Sequence, residues 1–115
     1  MLAKFIFVLV ALAKANGQDI DSYLRRLSES LENRDRDLIM KTLETIPESL
    51  LADPQCGFRV GLLLHQRGFS DVARTYVQRA ASAHPNRADY VFLLGSVLVE
   101  MEEFAPAALL LGPLA

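Results

Sequence analysis

Few residues in this chain are of types that do chemistry, and their spacing decides what they can do. His65 and His84 stand nineteen residues apart, and neither has a second ligand at the spacing a bound metal needs. Each reads as a satisfied or solvated histidine. A serine nucleophile needs a histidine base and an oxyanion site. Ser70 has no flanking histidine and no glycine-rich elbow, so it reads as a helix N-cap. Glu100, Glu102 and Glu103 resemble a cation or acid–base cluster, but they fall at a helix end with no fixed partner and read as a solvated tip. Cys56 is the single cysteine, which excludes an internal disulfide and leaves a small, weakly polar side chain beside a helix start. The sequence has no glycine-rich phosphate loop, no His-Glu-x-x-His and no Asn-x-Ser/Thr acceptor. Gly57-x-x-x-Gly61 would pair membrane helices only inside an apolar run, and Arg59 interrupts it. These residues predict a protein that is not an enzyme and that uses neither cofactor nor metal.

Composition narrows the partners. The chain has 115 residues, 51% of them hydrophobic and 23% charged, with a net charge of −2. One compact domain is the expected count. The arginines at 25, 26, 34 and 36 alternate with Asp and Glu, so there is no basic footprint for nucleic acid.

The first residues form a separate segment. Lys4 precedes the uninterrupted apolar run Phe5 to Ala13, and Ala13-Lys14-Ala15 places small residues where a signal peptidase reads them. Nine apolar residues span about 14 Å as a helix, roughly half a bilayer core, which disfavours a stable transmembrane helix. Residues 1–15 are therefore expected to be a signal peptide cut after Ala15. The alternative is an extra apolar element packed on the rest. Cleavage implies a secreted or periplasmic protein that meets the membrane only through the leader, and retention a cytoplasmic one. Without Lys4 and Lys14, ten of the twelve bases remain against fourteen acids.

After the leader, helix signals recur. Asp19 or Asp21 caps a first helix carrying Tyr23, Leu24, Leu27 and Leu31, which ends in the polar cluster Glu32 to Arg36. A second helix begins near Asp35, carries Leu38, Ile39, Leu43 and Ile46, and stops at Pro47. Asp53-Pro54 starts a third, which runs to about Gln66 with Gly68 as its left-handed terminus. Ser70 caps a fourth, Asp71 to about Ala83. Asn86 caps a fifth, Arg87 to Met101. Pro106 opens a short sixth that Gly112-Pro113 ends.

A set of small and apolar residues recurs thirty-four places later: Val60 and Leu94, Gly61 and Gly95, Leu64 and Leu98, Ala73 and Ala107, Val77 and Leu111. Ile20 to Asp53 covers the same length, so the first hairpin is in phase. That is the period of a helix-turn-helix repeat, which buries its bare face only by stacking on a neighbour.

With Gly61, Ala73, Ala80 and Pro85 in one unit and Gly95 and Ala107 in the next, the chain resembles the tetratricopeptide-repeat family. The large aromatic expected early in helix A is Gly57 in one unit and Val91 in the next, and the later aromatic is Leu64 and Leu98. The resemblance implies an all-α solenoid of stacked helix hairpins: a degenerate first hairpin over 16–53, a repeat over 54–87, and a C-terminally incomplete repeat over 88–115. It also implies a protein-binding scaffold whose helix A row lines a concave groove. Here those positions are Phe58, Leu62 and His65, then Phe92, Ser96 and Val99. Family members that clamp a carboxylate tail carry Lys and Asn there, so this groove is expected to hold an apolar or aromatic segment of a protein partner. The alternative is that Phe58 and Phe92 are packed as core. The apolar stretch Ala107 to Leu114 predicts an open edge and self-association. The alternative function is the N-terminal repeat portion of a larger envelope export or polysaccharide-secretion component, and a third reading is a module of a larger enzyme.

Overall fold

The structure, a computed structural model, describes residues 19–114. The leader with its cleavage site lies outside the described residues, as does Ala115. The described chain is all-α, seven helices without a strand. They are α1 (Asp19–Glu32), α2 (Arg36–Glu44), α3 (Glu48–Leu51), α4 (Pro54–Gln66), α5 (Ser70–Ala83), α6 (Ala88–Glu100) and α7 (Phe104–Leu111), followed by a 3-10 turn over Gly112–Leu114. In place of the single domain expected from length, the chain falls into two compact units that divide between Leu50 and Leu51.

In the first unit α1 packs on α2. Leu27 and Leu31 of α1 are buried, as are Ile39 and Leu43 of α2 and Ile46 just beyond it, whereas Tyr23 and Leu24 are only half-buried. Leu38, expected on the buried face, is exposed, because the stripe at 39, 43 and 46 leaves it about 100° around the helix. Asp35 caps α2 as expected, its Oδ1 accepting from the Asp37 and Leu38 amides at 3.0 and 3.3 Å. Ser30 and Thr42 join the two helices, their hydroxyls 2.7 Å apart. Each hydroxyl also reaches a carbonyl one turn earlier, Arg26 and Leu38 respectively. Two protons serve three contacts, so only two of these bonds form at once. The amides of Thr45 and Ile46 bond to carbonyls three residues back, ending α2 before Pro47 and leaving Pro47 to open the short α3, which the sequence did not announce.

In the second unit each helix from α4 to α7 packs on the next, and α4 also meets α6. Asp53 and Pro54 start α4 as predicted, with the Asp53 carboxylate accepting from the Gln55 amide at 3.1 Å. Two predicted caps fail. α5 begins at Ser70 itself, after Phe69, and α6 begins at Ala88, after Arg87, neither with a side-chain cap. α7 opens at Phe104, two residues before Pro106, which still lies in the first turn where its missing N–H costs nothing.

The hairpins share one frame. α1, α4 and α6 end at Glu32, Gln66 and Glu100, and α2, α5 and α7 begin at Arg36, Ser70 and Phe104, each thirty-four residues after the last. At the same interval the turn residue is left-handed: Arg34 at φ 52°, Gly68 at 88° and Glu102 at 62°. Each donates its amide three residues back, to Leu31, His65 and Val99 at 3.1, 3.1 and 3.0 Å. The helix crossings of the second unit repeat as well. A Cβ on Gly61 would lie 2.3 Å from Val77 Cγ2, and one on Gly95 would lie 2.4 Å from Leu111 Cδ2. Glycine stands there because the facing side chain occupies the space. Around these crossings Val60, Leu64, Ala73, Val77, Val97, Leu98 and Ala107 are buried.

Candidate functional site

Helical spacing puts Phe58, Leu62 and His65 in one stripe on α4 and Phe92, Ser96 and Val99 in another on α6, one turn between neighbours. The two stripes do not share an environment. Phe58 is half-buried, and its ring centroid lies 4.6 Å from that of Tyr90, the planes tilted by 31°. Tyr90, at the start of α6, is buried with Ala80 and Ala81 of α5, and Phe58 and Leu94 pack against that cluster. The Arg87 guanidinium sits 4.3 Å from the centre of the Tyr90 ring and is held by Asp89 at 2.9 Å. Phe58 therefore takes part in the packing between hairpins, the alternative that the sequence left open for it. The reason is that α6 brings Tyr90 over it, and the described residues supply no such cover for its repeat partner Phe92.

Leu62 is half-buried. His65 is half-buried too and places Nδ1 2.8 Å from Ser70 Oγ, the hydroxyl donating or accepting according to the ring tautomer. No histidine adjoins Ser70 in the sequence. The α4–α5 turn brings one round from five residues earlier. The distance suits a nucleophile and its base, but Ser70 is buried and lines neither of the clefts described below. Its bond to His65 instead ties the end of α4 to the start of α5.

The α6 stripe is open. Phe92 is 60% exposed and Val99 42% exposed. Between them the Ser96 hydroxyl donates to the Phe92 carbonyl at 3.0 Å in an exposed bond, so the stripe shows water two apolar side chains and one hydroxyl, with no charge among the three. The opposite face of α6 is committed to packing through Tyr90, Leu93, Gly95, Val97 and Leu98.

Two clefts, about 520 and 540 Å³, went unseen in the sequence. The first is lined by Leu51, Ala52, Pro54, Gly57, Thr75, Tyr76 and Arg79, among others. The second is lined by the residues thirty-four later: Pro85, Asn86, Ala88, Val91, Leu109, Leu110 and Pro113. They are one recurring feature, opened where the early helix position carries Gly57 or the small Val91. A Cβ at Gly57 would sit 3.5 Å from the Leu51 and Tyr76 carbonyl oxygens, in ordinary contact, so a methyl fits there. The first cleft has Thr75, Gln78, Arg79 and Ser82 in its walls, and the second has Val91, Leu94, Leu109 and Leu110. Ser82 lines both clefts, and the second gains apolar wall without losing polar surface. The signal was legible in principle, since Gly57 and Val91 share a phase.

Among the described residues no three His, Cys, Asp or Glu side chains converge on a metal-sized site. No helix among them is long and apolar enough to cross a membrane. Comparison with models of known families, with curated proteins and with solved structures finds no match for this chain.

Proposed function

We propose that the hairpins are tetratricopeptide-like repeats and that the chain is a non-enzymatic scaffold that holds an extended, apolar or aromatic segment of a protein partner along α6. The observation that carries this reading is the exposure of Phe92, a full phenyl ring kept in water on a helix whose other face is locked in place. Such a ring gains about 2 kcal/mol when a partner covers it. The stripe offers no charge, so the partner is chosen by apolar shape and binding should depend little on salt. Leu62 and His65 of α4, both half-buried, are the further members of the proposed site. The pattern of Met1 to Ala15 supports export of this scaffold, and N-terminal sequencing of the exported product should begin at Asn16.

The test is a panel of immobilised twelve-residue peptides, aromatic-rich, aliphatic and charged. Aromatic-rich peptides should bind, and Phe92→Ala should weaken capture at least about tenfold, the equivalent of about 1.4 kcal/mol, with little change in melting temperature. Equal binding by wild type and Phe92→Ala would remove the stripe from the site. Capture limited to charged peptides would replace the apolar reading.

A further inference from the structure

We propose that the cleft of about 520 Å³ between α4 and α5 is a binding site for a small aromatic carboxylate, its ring seated beside Gly57 and its carboxylate on Arg79. The volume lies in the range of small-ligand sites, about 300 to 1,000 Å³. The chain itself shows what kind of body is missing there. Gly57 lines the cleft without a side chain, and thirty-four residues earlier, at the same point of the first hairpin, stands Tyr23. That ring is half-buried and has the Arg26 guanidinium 5.7 Å from its centre. Where the first hairpin carries its own aromatic ring with an arginine over it, the second carries an arginine and leaves the place of the ring to a ligand. Leu51, Pro54 and Ala80 give that ring apolar contacts.

Charge selects the anion. Among the described residues that line the cleft, Arg79 alone is charged. It follows Thr75 by one helical turn and precedes Ser82 by another, so the three share one stripe along the α5 wall. Arg79 already makes a contact within the chain. A guanidinium carries five N–H donors in a planar fork, so one contact fixes its place without exhausting what it offers a carboxylate. The Thr75 and Ser82 hydroxyls add a donor on either side. The next hairpin isolates the effect of the charge. There Thr75 and Arg79 give way to Leu109 and Pro113, in a cleft of about 540 Å³ where none of the described lining residues is charged. One shape thus occurs twice in the chain, once with a cation and once without, and only the first suits an anion.

The test is an NMR titration of the full chain with para-hydroxyphenylacetate, whose ring is that of a tyrosine side chain. Ring-current shifts should appear at Gly57 and at the Ala80 methyl and should saturate below about 10 mM. Arg79 is exposed, so Arg79→Gln should change the melting temperature little while weakening binding at least about tenfold. The uncharged para-hydroxyphenylacetamide should bind at least about tenfold more weakly than the acid, and affinity for the acid should fall as salt rises. Acetate, which lacks the ring, should leave these signals in place. No saturable shift up to about 10 mM, shifts confined to the cleft at Leu109 and Pro113, or equal binding of acid and amide would each overturn the site. Undiminished binding by Arg79→Gln would overturn Arg79 as the partner of the carboxylate.

Discussion

Two glycines one turn apart in α4 have opposite work. A methyl on Gly57 would fit in ordinary contact, 3.5 Å from the Leu51 and Tyr76 carbonyl oxygens, while Gly61 faces a β-branched side chain, Val77, that is wholly buried and stiff at χ1. Gly57→Ala should therefore stabilise the protein by about 0.5 to 1 kcal/mol, the helix-propensity difference. Gly61→Leu should cost about 1 to 3 kcal/mol or more through overpacking. Gly95→Leu should cost less, because the side chain it meets, Leu111, is only half-buried and is not β-branched. Thermal melts of the three variants check the order, and a destabilised Gly57→Ala would mean that the space beside it is not there. The left-handed turns make a second test. Glu102 holds φ 62° where the preceding hairpin has Gly68, so Glu102→Gly should stabilise, and Gly68→Ala destabilise, each by about 1 kcal/mol. The small residues were legible in the sequence because a close crossing admits nothing else. Tyr90 was not. Its phase partner is Cys56, also buried, and a residue that changes from thiol to phenol between repeats leaves no pattern to see.

At the scale of elements, the turns repeat more faithfully than the side chains. Asp35, Asp53 and Gly68 announced helix ends because each does a local job that its own side chain, or the lack of one, can do. Ser70 and Asn86 misled for a related reason. Ser70 lies inside α5 and not before it, and at the α4–α5 turn the bond from the Phe69 amide to the Leu64 carbonyl at 2.9 Å closes the end of α4, matched in the next hairpin by Glu103 to Leu98 at 2.8 Å. That leaves Ser70 free to pair with His65. Ser70→Ala and His65→Ala should each cost about 1 kcal/mol and the double variant little more than either, since both remove one bond. Additive losses in chemical denaturation would show that the bond is not what holds them. The tie between Arg74 and Glu103 links α5 to the α6–α7 turn. It is a third exposed at both ends, and Arg74→Ala should cost no more than about 1 kcal/mol.

For the whole molecule, the period of thirty-four was legible because it is written in residues whose size is constrained, and it governs all three described turns. The division of the chain was not legible, because a repeat pattern says nothing about where contact density drops, and the structure divides it between Leu50 and Leu51. Each unit carries its own buried residues: Leu27, Leu31, Ile39 and Leu43 in the first, and Val60, Leu64, Val77, Tyr90 and Val97 in the second. In an array where stability is a sum of local cores and neighbour contacts, damage to one core need not unfold the rest. Tyr90→Ala removes the largest wholly buried side chain, at a cost of about 3 to 5 kcal/mol by analogy with other buried aromatics. Its loss strikes α5 and α6 directly and strips Phe58 of its ring partner. Native-state hydrogen exchange on Tyr90→Ala should therefore show amides of α4 to α7 losing protection while those of α1 and α2 keep theirs. A uniform loss from α1 to α7 would mean that the two units unfold as one cooperative body, and that the boundary at Leu50 has no energetic counterpart.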